Sequence, residues 1–205
     1  MKKLLPFLTF IFLSFQITFA QVPQNERDAL IAFYNATGGA NWTNNTNWNT
    51  ATPVSTWSGV TTGFNDLNGQ PFTDGLEHVY SIIFFSDNNL VGTLPDVFSD
   101  LPKFRALILR YNIYLTGEIP SSIWSLTDML QIQLMDADMS GEIPETISNL
   151  TNLQVLDIRQ NNFSGQVPNA LSSLTNLIHI NIGNNLFSGT FPDVTALSLN
   201  SFLDN

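Results

Sequence analysis

Leu153-Gln154-Val155-Leu156-Asp157-Ile158-Arg159-Gln160-Asn161-Asn162-Phe163-Ser164-Gly165-Gln166-Val167-Pro168 is the stretch on which the reading turns. Its apolar residues fall at Leu153, Leu156 and Ile158, then Asn161, then a Gly165 and a Pro168. Residues two apart on a strand share a face, so Leu156 and Ile158 point one way while Val155, Asp157 and Arg159 point the other. The same ending recurs as Val91-Gly92-Thr93-Leu94-Pro95, Thr116-Gly117-Glu118-Ile119-Pro120, Ser140-Gly141-Glu142-Ile143-Pro144 and Ser188-Gly189-Thr190-Phe191-Pro192. Successive prolines lie 25, 24, 24 and 24 residues apart, and half of the 10 prolines share this register. A period of that length indicates one supersecondary unit stacked on copies of itself.

Upstream of each proline the pattern L-x-x-L-x-L-x-x-N repeats. Phe104, Leu107, Leu109 and Asn112 fit it, as do Leu177, Ile180, Ile182 and Asn185. Met129, Ile132 and Leu134 fit, but Ala137 stands in the asparagine position, so that turn is expected to rely on water or on Asp136 and Asp138. The first copy is read as Tyr80, Ile83, Phe85 and Asn88. One residue is inserted between Asn112 and Gly117. Each short strand then pairs with the next copy in a parallel sheet, and the inward residues form a continuous core. The asparagine amide is expected to satisfy turn backbone that would otherwise be buried unpaired. Glycine permits the following bend, and proline is expected to stop helical propagation on the convex side.

The pattern resembles the plant-type leucine-rich repeat, over residues 76–192 in five copies. The resemblance implies an α/β solenoid: a right-handed superhelix with a parallel concave sheet and an irregular or 3-10 convex side. Residues 21–75 resemble that family's N-terminal capping region, with a helix around Glu26-Arg27-Asp28-Ala29-Leu30-Ile31-Ala32-Phe33-Tyr34. Asn25 is expected to cap this helix, with Asp28 as its acid at the third position. The Trp57-Ser58-Gly59-Val60-Thr61-Thr62 motif completes the likeness, but Thr62 stands where plant members carry a cysteine, which points to a bacterial-like member. Trp42, Trp48 and Trp57 are expected to close the apolar end of the stack. Residues 193–205 read as an incomplete last repeat, either a truncation or an open end that meets a partner; truncation is the reading adopted.

The first twenty residues carry the marks of a secretory signal: Lys2 and Lys3, an apolar run from Leu4 to Phe15, then Thr18 and Ala20 as small residues before Gln21. The apolar run is shorter than the roughly 20 residues of a spanning helix, so no membrane insertion is expected after cleavage. The chain is therefore placed outside the cell, secreted or at the cell surface. Without any cysteine it has no disulfide, thiolate nucleophile or cysteine metal site. The 205 residues carry a formal charge of −10, with 17 acidic and 7 basic residues, which disfavours nucleic acid and anionic lipid.

His78 and His179 lie four repeats apart, and no metalloprotease, nucleophile-elbow or phosphate-loop motif occurs, so neither catalysis, a metal nor a cofactor is expected. The residues between and beside the inward pairs form the candidate binding strip, five rungs or roughly 20–25 Å long. Its members are Phe84, Ile108, Arg110, Tyr111, Gln133, Met135, Asp157, Arg159, His179 and Asn181. An apolar start beside polar later rungs has the form of an interface core with a rim. The resemblance implies a protein- or peptide-binding module using this concave face. The alternative is a structural adhesin or matrix spacer with no specific concave ligand.

Overall fold

In a computed structural model the backbone is described for residues 21–203; the expected signal segment, residues 1–20, lies outside the described residues. Helix α1 (Gln24–Ala36) is followed by strands β1 (Val60–Gly63), β2 (His78–Phe84), β3 (Val91–Thr93) and β4 (Ala106–Leu109). Then come β5 (Tyr114–Gly117), β6 (Gln131–Gln133), β7 (Asp138–Glu142) and β8 (Val155–Asp157). The last are β9 (Asn162–Gln166), β10 (His179–Asn181), β11 (Leu186–Ser188) and β12 (Ser201–Leu203). They form two sheets. One runs β1-β2-β4-β6-β8-β10-β12 and is parallel except for β1, which pairs antiparallel with β2. The second, parallel sheet runs β3-β5-β7-β9-β11. β12 thus adds a sixth parallel strand to the first sheet. This is the leucine-rich-repeat solenoid.

The core is a set of columns. Ile82, Leu107, Ile132, Leu156 and Ile180 are in register and buried, and so are Phe84, Leu109, Leu134, Ile158 and Ile182. Leu90, Leu115, Met139 and Phe163 close the second sheet from inside, and Phe98, Ile123, Ile147 and Leu171 project inward from the convex turns. Those turns are 3-10 helices, and Pro120, Pro144 and Pro168 immediately precede three of them. Proline therefore starts the convex turn here instead of stopping a helix. Its fixed φ suits the entry position, where the missing N–H has no partner to lose.

Buried asparagines tie the rungs together. Asn161 Oδ1 accepts from the Met139 N–H (3.0 Å) of the preceding rung, while its Nδ2 donates to Leu134 O (2.8 Å) and Ile158 O (3.0 Å). Asn185 repeats this with the Phe163 N–H (3.0 Å), Ile158 O and Ile182 O. Asn112 accepts from both Asn88 N–H and Leu90 N–H, at 3.1 Å each. Ala137 leaves a gap, filled differently from expectation. The Leu115 N–H, which would face an asparagine at 137, donates to Asn112 O (2.9 Å) in a local backbone turn. Asp138 instead accepts from the Asn162 amide on the surface. The residue inserted after Asn112 makes that closure possible, with Ile113 and Tyr114 bulging into solvent.

At the N-terminal end α1 begins one residue earlier than the expected cap. Pro23 precedes it, no side chain caps it, and Asp28 accepts from Gln24 Nε2 (2.7 Å). Asn25 donates instead to Asp100 O (3.2 Å) of the first convex turn. Trp42, Trp48 and Trp57 are buried with Phe33 and Phe84, and their indole N–H groups donate to Thr37 O, Ser58 O and Thr52 O. Trp42 lies edge-on to Trp48 (4.9 Å) and to Phe84 (5.4 Å).

Asn161→Ala should lower unfolding stability by about 2–4 kcal/mol, because it strands buried backbone groups on two rungs. Ala137→Asn should change it by less than about 0.5 kcal/mol, since Leu115 is already satisfied. Urea titration of both variants checks the pair. A large gain in Ala137→Asn would show the local turn to be a poor substitute.

Candidate binding face and a buried carboxylate–histidine cluster

Strand register decides which side chains face the concave side. Pairing sets Ser81, Ala106, Gln131, Val155 and His179 in one column and Ile83, Ile108, Gln133, Asp157 and Asn181 in the next. A third column follows the strands: Phe85, Arg110, Met135, Arg159 and Gly183. The first rung therefore departs from the sequence expectation by one residue. Phe84 is a core residue at 8% exposure, held against Trp42, whereas Phe85 is 60% exposed on the concave side. Ile82 likewise belongs to the core, and Ile83 to the concave face. The cause is an extra residue in the turn. Three residues separate Phe84 from Asn88, against two between Leu109 and Asn112, so counting back from the asparagine lands on the wrong face.

The other nine candidates fall on the strip or its border. Ile108, Gln133, Met135, Asp157 and Asn181 are packed side by side and largely buried by one another. Arg110 links two columns: its Nε donates to Gln133 Oε1 (3.0 Å), and its guanidinium lies 5.3 Å from the Phe85 ring centroid. Gln133 passes the chain on through Nε2 to Gln131 Oε1 (2.8 Å). Farther along, Asp157 lies between Arg159 Nε (3.8 Å) and His179 Nε2 (4.0 Å). Arg159 also reaches Met135 Sδ (3.2 Å). Asn181 accepts from the Gly183 N–H (3.3 Å), but its buried Nδ2 has no acceptor among the described residues. A buried donor without a partner is uncommon, and here it lies in the middle column of the strip.

Tyr111 borders the strip at 43% exposure with φ of 63°. Asp136, Gln160 and Asn184 take the same left-handed turn position on later rungs. Such a conformation is tolerated best by glycine, asparagine and aspartate, so a bulky tyrosine there carries strain.

A second grouping of chemical side chains escaped the sequence reading. Glu26, on α1, is fully buried; its Oε2 accepts from the Val79 N–H (2.8 Å) and its Oε1 meets His78 Nδ1. His78 Nε2 meets Asp74 Oδ2 (3.0 Å), and the Phe72 ring stands edge-on to the imidazole at 4.8 Å. Burial pushes the Glu26 carboxyl above the ordinary carboxylate value, with the Val79 N–H and His78 pulling partly against it. The Leu76 N–H, followed by His78, holds Asp74 below its ordinary value. No hydroxyl or thiol nucleophile hydrogen-bonds to His78 among the described residues, so the cluster's evident work is to fix α1 to β2. The only sequence signal for it was a glutamate on the apolar stripe of α1, beside Ala29, Leu30 and Phe33.

The leucine-rich-repeat family model matches residues 152–174. No curated protein matches the chain. Among solved structures it is similar to a plant ice-binding protein, at 28% identity and a TM-score of 0.73, over 90% of this chain and 56% of that one. The chain thus spans just over half the length of that relative. It is also similar to the leucine-rich-repeat ectodomain of the receptor kinase SOBIR1 from Arabidopsis thaliana, at 24% identity and a TM-score of 0.70, over 89% of this chain and 92% of that one. The plant peptide hormone receptor RGFR1, solved in complex with RGF2, matches at 31% identity and a TM-score of 0.54, over 58% of this chain and 19% of that one. Fold and repeat together define a leucine-rich-repeat solenoid.

Two measurements test this geometry. Phe84→Ala should cost about 3–5 kcal/mol of stability and Phe85→Ala less than about 0.5 kcal/mol, the reverse of what the sequence pattern implies. Folding raises the Glu26 pKa, so its contribution is full below the ordinary value of 4.5 and lost as pH rises through the folded value. Glu26→Gln keeps an acceptor for Val79 without the charge, and should therefore gain on the wild type as pH rises from about 4 to 7. Parallel stability–pH curves for the two proteins would assign the retained proton to another group.

Proposed function

We propose that this protein is a secreted or cell-surface module that binds a protein or peptide through the concave face of its solenoid. The observation that carries the reading is the group of exposed Phe85 and Tyr111 with half-buried Arg110 at the apolar end of the strip, continuous with the polar group of Asp157, Arg159 and His179. Aromatic and arginine side chains beside one another are the usual anchors of protein interfaces. The strain at Tyr111 supports the same view, since a costly residue in a position where asparagine would serve is best understood by what its ring contacts. Proteins of this fold include a plant peptide hormone receptor solved in complex with RGF2, which makes an extended peptide a reasonable occupant by analogy.

Export rests on Lys2, Lys3, the apolar run and Ala20, and the bacterial-type assignment on Thr62 in place of a cysteine. Catalysis forms no part of this reading.

Peptides selected from a displayed library on the wild-type protein should bind the Phe85→Asp, Tyr111→Asn double variant at least about tenfold more weakly, a loss of about 1.4 kcal/mol. They should bind a Leu186→Asp control normally. Tyr111→Asn alone should leave the fold intact and raise stability by about 0.5–1 kcal/mol, separating a binding role from a structural one. Equal binding to all variants would remove the concave-face reading and favour the spacer alternative.

A further inference from the structure

Basic residues are scarce in this chain, so where they gather is informative. Beyond residue 20 there are five, against 17 acidic residues. Arg27 and Arg105 give guanidinium N–H groups to the backbone carbonyls of Thr50, Thr52 and Asn65, and lie over the rings of Trp57 and Tyr80. Lys103 lies over the Phe72 ring. Arg110 and Arg159 are placed differently. Both stand in the third column of the concave strip, on the second and fourth rungs, with Met135 between them.

Their side chains converge on the third rung. Arg110 reaches forward, its Nε donating to Gln133 Oε1 (3.0 Å) and a terminal N–H joining it there. Gln133 is itself buried, and its Nε2 donates to Gln131 Oε1 (2.8 Å), which sets its own oxygen toward the guanidinium. Arg159 reaches back, laying a terminal N–H on Met135 Sδ (3.2 Å). A thioether is a weak acceptor and a glutamine carries no charge, so neither partner neutralises a guanidinium. Among the described residues, Asp157 is the one carboxylate within ion-pair distance of either arginine. It lies 3.8 Å from Arg159 Nε, too far for a hydrogen bond, and is shared with His179 Nε2 at 4.0 Å. Asp136 borders the third rung and forms no ion pair with either arginine. Two guanidiniums thus meet over a buried apolar floor with one shared carboxylate near them.

We propose that this point on the strip binds the side-chain carboxylate of an acidic residue within an extended peptide. The inference rests on the concave-face reading and adds what the peptide must carry. Guanidinium N–H groups meet carboxylate oxygens in charge-assisted, often bidentate hydrogen bonds, which a thioether cannot match. Position indicates an internal residue of the peptide. The pair converges on the third of five rungs, and the strip continues to Phe85 and Tyr111 one way and to His179 and Asn181 the other. A peptide running along the stack therefore passes over the pair instead of ending there. Rungs about 4.8 Å apart put Phe85 about 10 Å from that point, or about three residues of extended chain. The occupant thus carries an apolar residue and, about three positions from it, an aspartate or glutamate.

The test is a parallel selection of random dodecapeptides on the wild-type protein and on Arg110→Gln with Arg159→Gln. One library is fused to its carrier through the peptide's C-terminus, and the other leaves that C-terminus free. The wild-type pool from the fused library should be enriched in Asp or Glu about three positions from an apolar residue, and the variant pool should not. The most enriched wild-type peptide, made synthetically with an amidated C-terminus, should bind the wild-type protein at least about tenfold more weakly when its acid is replaced by Asn or Gln. That comparison leaves the protein untouched, so it holds whether or not the double variant folds. Equal acid enrichment in the two pools, a peptide indifferent to the acid-to-amide change, or enrichment confined to the free C-terminus library would overturn the proposal. If the selected peptides still lose binding to Phe85→Asp with Tyr111→Asn, the concave-face reading stands without it. If they bind that variant as well as wild type, both fall together.

Discussion

A stack of three-residue strands must turn twice per rung, and every turn buries backbone that water cannot reach. The asparagine side chain solves that problem. One amide holds the carbonyls of its own strand end and of the strand before, while its oxygen takes an N–H from the preceding turn. Hydrogen bonds of this kind add little net stability when formed but leave a large penalty when broken in a buried site. The rung spacing, the strand register and the position of the concave columns all depend on that amide. With no cysteine in the chain, nothing covalent backs it up.

A stack of this kind also has ends, and the apolar columns would open into solvent there. At the N-terminal end three devices act together. β1 pairs antiparallel with β2 and covers the sheet edge. The tryptophan group packs over Phe84. Glu26 then reaches from α1 to a strand N–H and to His78, so an ionisable side chain completes the least polar region of the molecule. Burying a carboxylate is costly, and the upward push on its proton affinity is the visible consequence. Its geometry fixes the helix in one place on the sheet, which apolar packing alone would do less sharply.

Most of the fold was legible because it repeats. The spacing of Leu156 from Ile158 gives the face and Asn161 the turn, and five coincident copies leave few alternatives, whereas the role of Pro168 in starting the convex turn was not legible. What escaped were the places where a local count depends on something distant. The extra residue before Asn88 flips Phe84 and Phe85 because side chains alternate, and no residue within that segment declares where the bulge lies. The closure at Ala137 uses a backbone turn one rung away, built from an insertion that looked incidental. Glu26, His78 and Asp74 are brought together from segments separated by about fifty residues, so their meeting is invisible to periodicity. On the candidate face, nine of the ten chosen residues lie on or beside the strip, and the tenth failed by that same single-residue slip.

The repeat also gives a way to separate residues kept for folding from residues kept for something else. Leu153, Leu156, Ile158, Asn161 and Gly165 have equivalents on nearly every rung, and packing or backbone geometry accounts for them. Tyr111 and Trp124 do not. Tyr111 sits in a left-handed turn where its equivalents are Asp136, Gln160 and Asn184. Trp124 stands where its equivalents are serines. A solenoid gains stability from interfaces between like rungs, so a departure that adds strain works against the stack. Both departures fall in the second rung, on opposite sides of it. Phe85, Arg110 and Tyr111 mark its concave side, where the strain at Tyr111 runs against the stack.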